Sequence, residues 1–132
     1  MKTISILLLS IFLSGCGSFN TEYQINRGVD ANAMIRDIVR QVSEKYELEE
    51  EKDLQVQSHT IVYCSNLGLF SMIAIRAYND QSTIIVSLRE GKLGTSPSGK
   101  YAEIKNVLAR KLKDAFGDKV VIENNTDKTE TP

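Results

Sequence analysis

Two stretches of the chain repeat apolar residues at the spacing of a helix, and the apolar residues between them follow the shorter period of strands. Met34, Ile35, Ile38, Val39, Val42 and Tyr46 form one stripe, with Arg36, Asp37, Arg40, Gln41, Glu44 and Lys45 opposite it. This pattern predicts an amphipathic helix over about 31–47, capped by Asp30 or Asn32. Tyr101, Ile104, Val107, Leu108, Leu112, Ala115 and Phe116 form the second stripe. Ser96-Pro97 suits its start and Gly117 its left-handed end. Between the helices, Asp53–Cys64 reads as a strand whose apolar residues change parity, which places a bulge near Ser58-His59. Ser65-Asn66-Leu67-Gly68 has turn chemistry. Leu69–Tyr78 is apolar on both parities, as a central strand would be, and Asn79-Asp80-Gln81-Ser82 makes the next turn. In Thr83–Arg89, Ile84, Val86 and Leu88 alternate with the intervening positions on one side, and Val120-Val121-Ile122 makes a short last strand.

The predicted order is helix, three strands, helix, strand. Two stripes that must be buried against one sheet face give an α+β, two-layer sandwich. Its antiparallel sheet has three to four strands, and both helices lie on one face. In such a meander the helices run in the same direction, bringing Glu47, Glu49, Glu50 and Glu51 near Lys111 and Lys113. The domain is expected to span 31–123. Gly17 to Asp30 is mixed and polar and reads as part of a tether over 16–30, with Glu22–Asn26 adding at most a short edge strand. Residues 124–132 read as a disordered tail.

The first 16 residues are of another kind. Met1-Lys2 gives a positive start, and Thr3 to Leu13 is an apolar run interrupted by Thr3, Ser5 and Ser10. Such a run is far below the roughly 20 residues a membrane-spanning helix needs, but it has the length of a signal-peptide core. Leu13-Ser14-Gly15-Cys16 follows at once and resembles a lipobox, the cleavage and lipidation signal of bacterial lipoproteins. The resemblance implies a signal peptide over 1–15 and lipidation (diacylglycerol and palmitate) of Cys16. It also implies anchorage of everything downstream to a membrane outside the cytoplasm. Gly17 in place of an aspartate after the cysteine implies the outer membrane, facing the periplasm; a Gram-positive source would imply the outer leaflet of the cytoplasmic membrane. Lipoproteins share this export route rather than a fold or an activity.

Charge changes the picture little. Lys+Arg number 16 against 17 Asp+Glu, and removal of residues 1–15 takes away only Lys2. A near-balanced surface gives no reason to expect nucleic acid as a partner. Cysteine usage matters more. With Cys16 committed to lipid, Cys64 has no partner for a disulfide, and its neighbours Ile61, Val62 and Tyr63 suggest a buried strand thiol.

The candidate chemistry is thin. Gly94-Thr95-Ser96-Pro97-Ser98-Gly99-Lys100 matches the core of a phosphate-binding P-loop. Tyr101, however, stands where a hydroxyl should reach magnesium, and Pro97 removes a backbone donor. The predicted order over 31–116 resembles the double-stranded RNA-binding fold in outline, with Lys100 and Lys105 near the second helix start. Those domains carry a denser basic cluster there, and an exported chain meets little RNA. His59 is the one histidine and sits five residues from Cys64 along a strand, on the opposite face unless a bulge intervenes. The Glu47–Glu51 run with Asp53 lacks the spacing of a calcium loop. No catalytic, cofactor or metal residues are assigned. Arg89, Lys92 and Lys100 bracket the loop before the second helix and are the candidate partner contacts. The sequence thus leads to a non-catalytic, lipid-anchored envelope protein that binds another protein in an envelope or secretion assembly. An immunity or inhibitor lipoprotein directed against a toxin or hydrolase is the alternative.

Overall fold

The computed structural model describes residues 16–26, 31–52, 60–68, 71–94 and 96–127. The expected signal peptide, Asp30, the Ser58-His59 bulge and the last five residues lie outside them. Among the described residues, nine elements follow in order. Strand β1 (Cys16–Asn26) leads into helix α1 (Ala31–Lys45). After the short β2 (Glu49–Glu50) come β3 (Thr60–Gly68), β4 (Ser71–Asp80) and β5 (Thr83–Leu93). Helix α2 (Gly99–Phe116), one 3-10 turn (Gly117–Lys119) and β6 (Val120–Asp127) complete the chain. The fold class is α+β with an antiparallel sheet. That sheet has six strands rather than three or four, in the order β2-β3-β4-β5-β1-β6.

Residues 16–26 account for most of the difference. They are neither a tether nor an edge. β1 lies between β5 and β6, pairing Cys16 with Leu93, Asn26 with Thr83, and Ser18 with Asp127. The physical reason is an alternation running from Phe19 through Thr21 and Tyr23 to Ile25. All four residues are buried, while Asn20, Glu22 and Gln24 between them are only half-buried. This row completes the helix-facing side of the sheet. β6 then pairs with β1 as far as Asp127, so the part of the expected tail up to that residue belongs to the sheet. Residues 16–26 therefore belong to the domain expected to start at residue 31.

The extra strand also reverses a helix. β1 leads away from the Cys16 end of the sheet, α1 returns toward it, and β5 ends there with Leu93 opposite Cys16. α2 then runs away again, since β6 starts with Val120 opposite Ile25. The helices are antiparallel, not parallel. Lys45, Tyr46 and Glu47 at the end of α1 line one groove with Gly99, Lys100 and Glu103 at the start of α2. The carbonyl end of one helix thus meets the amide end of the other, an arrangement their dipoles favour. Lys111 does not reach the acidic run; its Nζ donates to Gln41 Oε1 at 3.3 Å. Glu50 pairs instead with Arg40 at 3.1 Å, and Glu51 accepts from the Ser65 hydroxyl.

Local corrections have local causes. α1 ends at Lys45 because Glu47 turns to φ 61, and the Leu48 amide reaches back to the Ser43 carbonyl at 2.8 Å. That six-to-one bond is the terminating motif in which glycine is usual, with buried Leu48 as its apolar clasp. Asn32 is helical, within the first turn, and does not cap α1. Ser65–Gly68 continues β3 rather than turning, and the register shift in β3 falls between Thr60 and Val62. α2 starts at Gly99 with Ser98 as its cap, so Ser96-Pro97 precedes the helix. Gly117 does adopt φ 61, but with ψ −133, a conformation open to glycine that is not the left-handed helical one.

Ile35, Val39 and Val42 from α1 and Ile104, Leu108 and Leu112 from α2 close over Tyr23, Ile25, Ile75, Ile84, Val86 and Leu88. Tyr23 is fully buried, its hydroxyl donating to the Lys105 carbonyl at 2.7 Å. Burial raises its ionisation far above the usual value of 10, with Tyr101 adding to the rise. Tyr101 and Cys64 are raised by the same cause. These groups ionise more readily in the unfolded chain, so stability is complete below their unfolded values and falls as pH rises through about 9 to 10 and beyond. Each group contributes a loss of ~1.4 kcal/mol per pH unit once its unfolded form titrates. Urea unfolding between pH 7 and 12 should show a plateau followed by this decline, and Tyr23→Phe should make the decline shallower.

Candidate interaction surface

Both helices cover one face of the sheet, and among the described residues the other face is open. On it the alternation places Tyr63, Ser65 and Leu67 from β3, and Met72, Ala74, Arg76 and Tyr78 from β4. β5 adds Ile85, Ser87, Arg89 and Leu93, and β1 adds Asn20, Glu22 and Gln24. Ala74, Ile85 and Ser87 are buried even here, beneath longer neighbours. Arg76 stands opposite Tyr63 in the β3–β4 register and stacks on Tyr78, its guanidinium carbon 4.4 Å from the ring centroid. Ser87 donates to Asn20 Oδ1 at 3.0 Å, tying β5 to β1 on this face. An exposed arginine stacked on tyrosine, with a second arginine (Arg89) on the next strand, is the side-chain chemistry that protein interfaces favour.

The three basic candidates do not form one surface. Arg89 is exposed on the open face, opposite Ala74 and Asn20. Lys92 falls in the alternate row, opposite Gly17 and Ser71, and Lys100 belongs to the first turn of α2. Arg76 and Tyr78 were the signal missed in sequence, because the parities of β4 are apolar on both sides and the open face cannot be told from the covered one.

The P-loop-like segment has a different use. Glu90, only 2 % exposed, accepts the Ser98 amide at 2.7 Å through Oε1 and the Ser98 hydroxyl at 2.5 Å through Oε2. Ser98 Oγ in turn accepts the Tyr101 amide at 3.1 Å. A carboxylate already occupies the amide end of α2, where a nucleotide phosphate would have to sit. Behind it, Tyr101 and Thr21 share a hydrogen bond at 2.5 Å, and the Thr21 hydroxyl reaches Asn124 Oδ1 at 3.1 Å. This chain of contacts links β5, α2, β1 and β6.

Cys64 is 1 % exposed, and burial pushes its thiol up. Ser43, whose hydroxyl makes no hydrogen bond of ordinary geometry, lies close enough to counter this in part. A protonated, enclosed thiol is a core group rather than a nucleophile. His59 lies outside the described residues. Among the described residues no group of three or more His, Cys, Asp or Glu could hold a metal ion. No described helix is long and apolar enough to cross a membrane.

Comparison with known proteins adds little to the geometry. No family model matches the chain, and no curated protein matches it. Solved structures similar to it include designed proteins. The designed protein Foldit4 aligns at TM-score 0.47 and 8 % identity, over 86 % of this chain and 97 % of its own. Ferredog-Diesel aligns at 0.44 and 12 %, over 80 % and 83 %. A designed protein with a ferredoxin fold, LFR1 1, aligns at 0.42 and 15 %, over 89 % and 88 %. At such scores the likeness carries no argument about function.

The contact of Glu90 with the start of α2 is testable. Glu90→Ala leaves the Ser98 amide and hydroxyl without their acceptor in a closed site, and should cost about 1–3 kcal/mol in urea unfolding. A loss below about 0.5 kcal/mol, the range of ordinary surface substitutions, would show that this carboxylate does not hold the helix.

Proposed function

We propose that the chain is a lipid-anchored, non-catalytic envelope protein that presents the open face of its sheet to another protein, as an accessory or structural component of an envelope or secretion assembly. The observation that carries this reading is the position of Cys16. The residue that completes the lipobox-like Leu13-Ser14-Gly15-Cys16 is also the first residue of β1. Cleavage before it would keep every described pairing of β1, from Cys16 with Leu93 to Asn26 with Thr83. The Arg76–Tyr78 stack and Arg89 supply the recognition chemistry, on a scaffold whose register holds them rigidly.

In-cell crosslinking followed by affinity capture from native membranes tests both halves. Metabolic palmitate labelling should mark the wild type and not Cys16→Ala, which should leave the membrane fraction. Arg76→Glu should keep the label and the membrane location, yet weaken recovery of a crosslinked envelope protein by about tenfold or more, the scale of losing one interface anchor. Unchanged labelling of Cys16→Ala would overturn the anchor. Equal partner recovery with Arg76→Glu would remove the open face from the interface.

A further inference from the structure

The end of the sheet that starts with Cys16 also carries the two most exposed leucines of the described residues. Leu67 is 81 % exposed and Leu93 is 41 % exposed. Leu93 is the register partner of Cys16, and Leu67 is opposite Met72, itself opposite Gly91. All three apolar side chains belong to the open-face rows. Neighbouring strands are roughly 4.8 Å apart, so Leu93 lies one strand from Cys16 and Leu67 three strands away, within about 15 Å. At the opposite end the β4–β5 turn is polar (Asp80, Gln81, Ser82 and Thr83), and the exposed Val121 lies toward it on β6, opposite Gln24 and away from Cys16.

Resting on the anchor reading above, we infer that Leu67, Met72 and Leu93 form a membrane contact that lies against the lipid surface beside the anchored cysteine. Lipid is the occupant for a steric reason. A thioether-linked diacylglycerol holds its cysteine at the level of the headgroups. Cys16 is already paired to Leu93 in the sheet, so no slack chain separates the lipid from the domain. This edge of the sheet must then meet the headgroup region, where apolar side chains are stabilised by the surface they remove from water. The contact fixes orientation: the strands stand out from the membrane, and Arg76, Tyr78 and Arg89 face sideways along it. Charge plays a minor part, since Lys92 and Lys100 share this end with Glu47.

The test uses the full chain, matured in cells and reconstituted into phosphatidylcholine vesicles. A polarity-sensitive fluorophore is attached through Leu67→Cys, and in a second protein through Ser82→Cys in the distant turn, each combined with Cys64→Ala. Both labelled positions are exposed, so neither substitution disturbs the core. The label at 67 should shift to the blue and be quenched several-fold more by spin-labelled lipid than the label at 82, at low and high salt alike. Water-like emission at both positions, with palmitate still on Cys16, would overturn the membrane contact and leave the anchor standing. Absence of palmitate would overturn the anchor and this inference together. A blue-shifted label at 67 that lipid does not quench, in a protein that crosslinks to itself, would assign the patch to a second copy of the chain and overturn it as well.

Discussion

The structure depends on the pairing of β1 along both of its sides. From Ser18 to Ile25 it hydrogen-bonds to β5 on one side and to β6 on the other. Its Phe19, Thr21, Tyr23 and Ile25 close the floor beneath the two helices. Without it, β6 would have no neighbour in the sheet, β5 would become an edge, and α2 would lose the ring of Tyr23 and the Thr21 contact to Tyr101. Fully burying side chains of this size contributes about 1.5–3 kcal/mol each, against a net stability of roughly 5–15 kcal/mol for a typical domain. The strand is thus a precondition for the fold. It also sets the helix directions, since an inner strand leading away from the Cys16 end obliges α1 to return and α2 to leave.

How much of this is legible in the sequence depends on whether a segment's period is strong and its flanks ordinary. The stripes of Ile35, Val39 and Val42 and of Ile104, Leu108 and Leu112 announce the helices, and Ile84, Val86 and Leu88 announce β5. The burial of Cys64 follows from its apolar neighbours. β1 has a period of two as well, from Phe19 to Ile25, but Thr21 stands in the apolar row and asparagines and glycine surround it. Coming directly after the lipobox-like Leu13-Ser14-Gly15-Cys16, such a stretch reads as tether. Pairing partners distant in sequence, with β5 and β6, make it a strand, and no local rule supplies them. The open face was hidden for a related reason. Ala74 and Ile85 lie on it and are buried by the longer side chains around them, so apolar character alone does not separate covered from uncovered rows. The cap of α2 shows the limit of motif reading: Ser96-Pro97 looks like a start, but Glu90, eight residues before Ser98 in sequence, selects Ser98.

The same constraint shapes the functional reading. On the proposed anchorage at Cys16, the first residue of β1, the domain would stand close to the membrane, with Arg76, Tyr78 and Arg89 within a domain's length of the lipid. Glu90 fills the one helix end that resembles a phosphate site, and Cys64 is enclosed. What remains accessible is the face with Arg76, Tyr78 and Arg89 and the apolar margin with Leu67 and Leu93. Such a placement, if Cys16 carries the proposed lipid, would favour partners close to the same membrane over soluble ones at a distance.

The most direct measurement is hydrogen exchange of the backbone amides from residue 16 to 26 in the purified protein. The inner-strand arrangement predicts that the amides of Thr21, Tyr23 and Ile25 exchange as slowly as those of Ile84, Val86 and Leu88, with protection beginning within a few residues of Cys16. Rapid exchange throughout 16–26, with protection beginning only at α1, would contradict it and return this stretch to the role of a flexible tether.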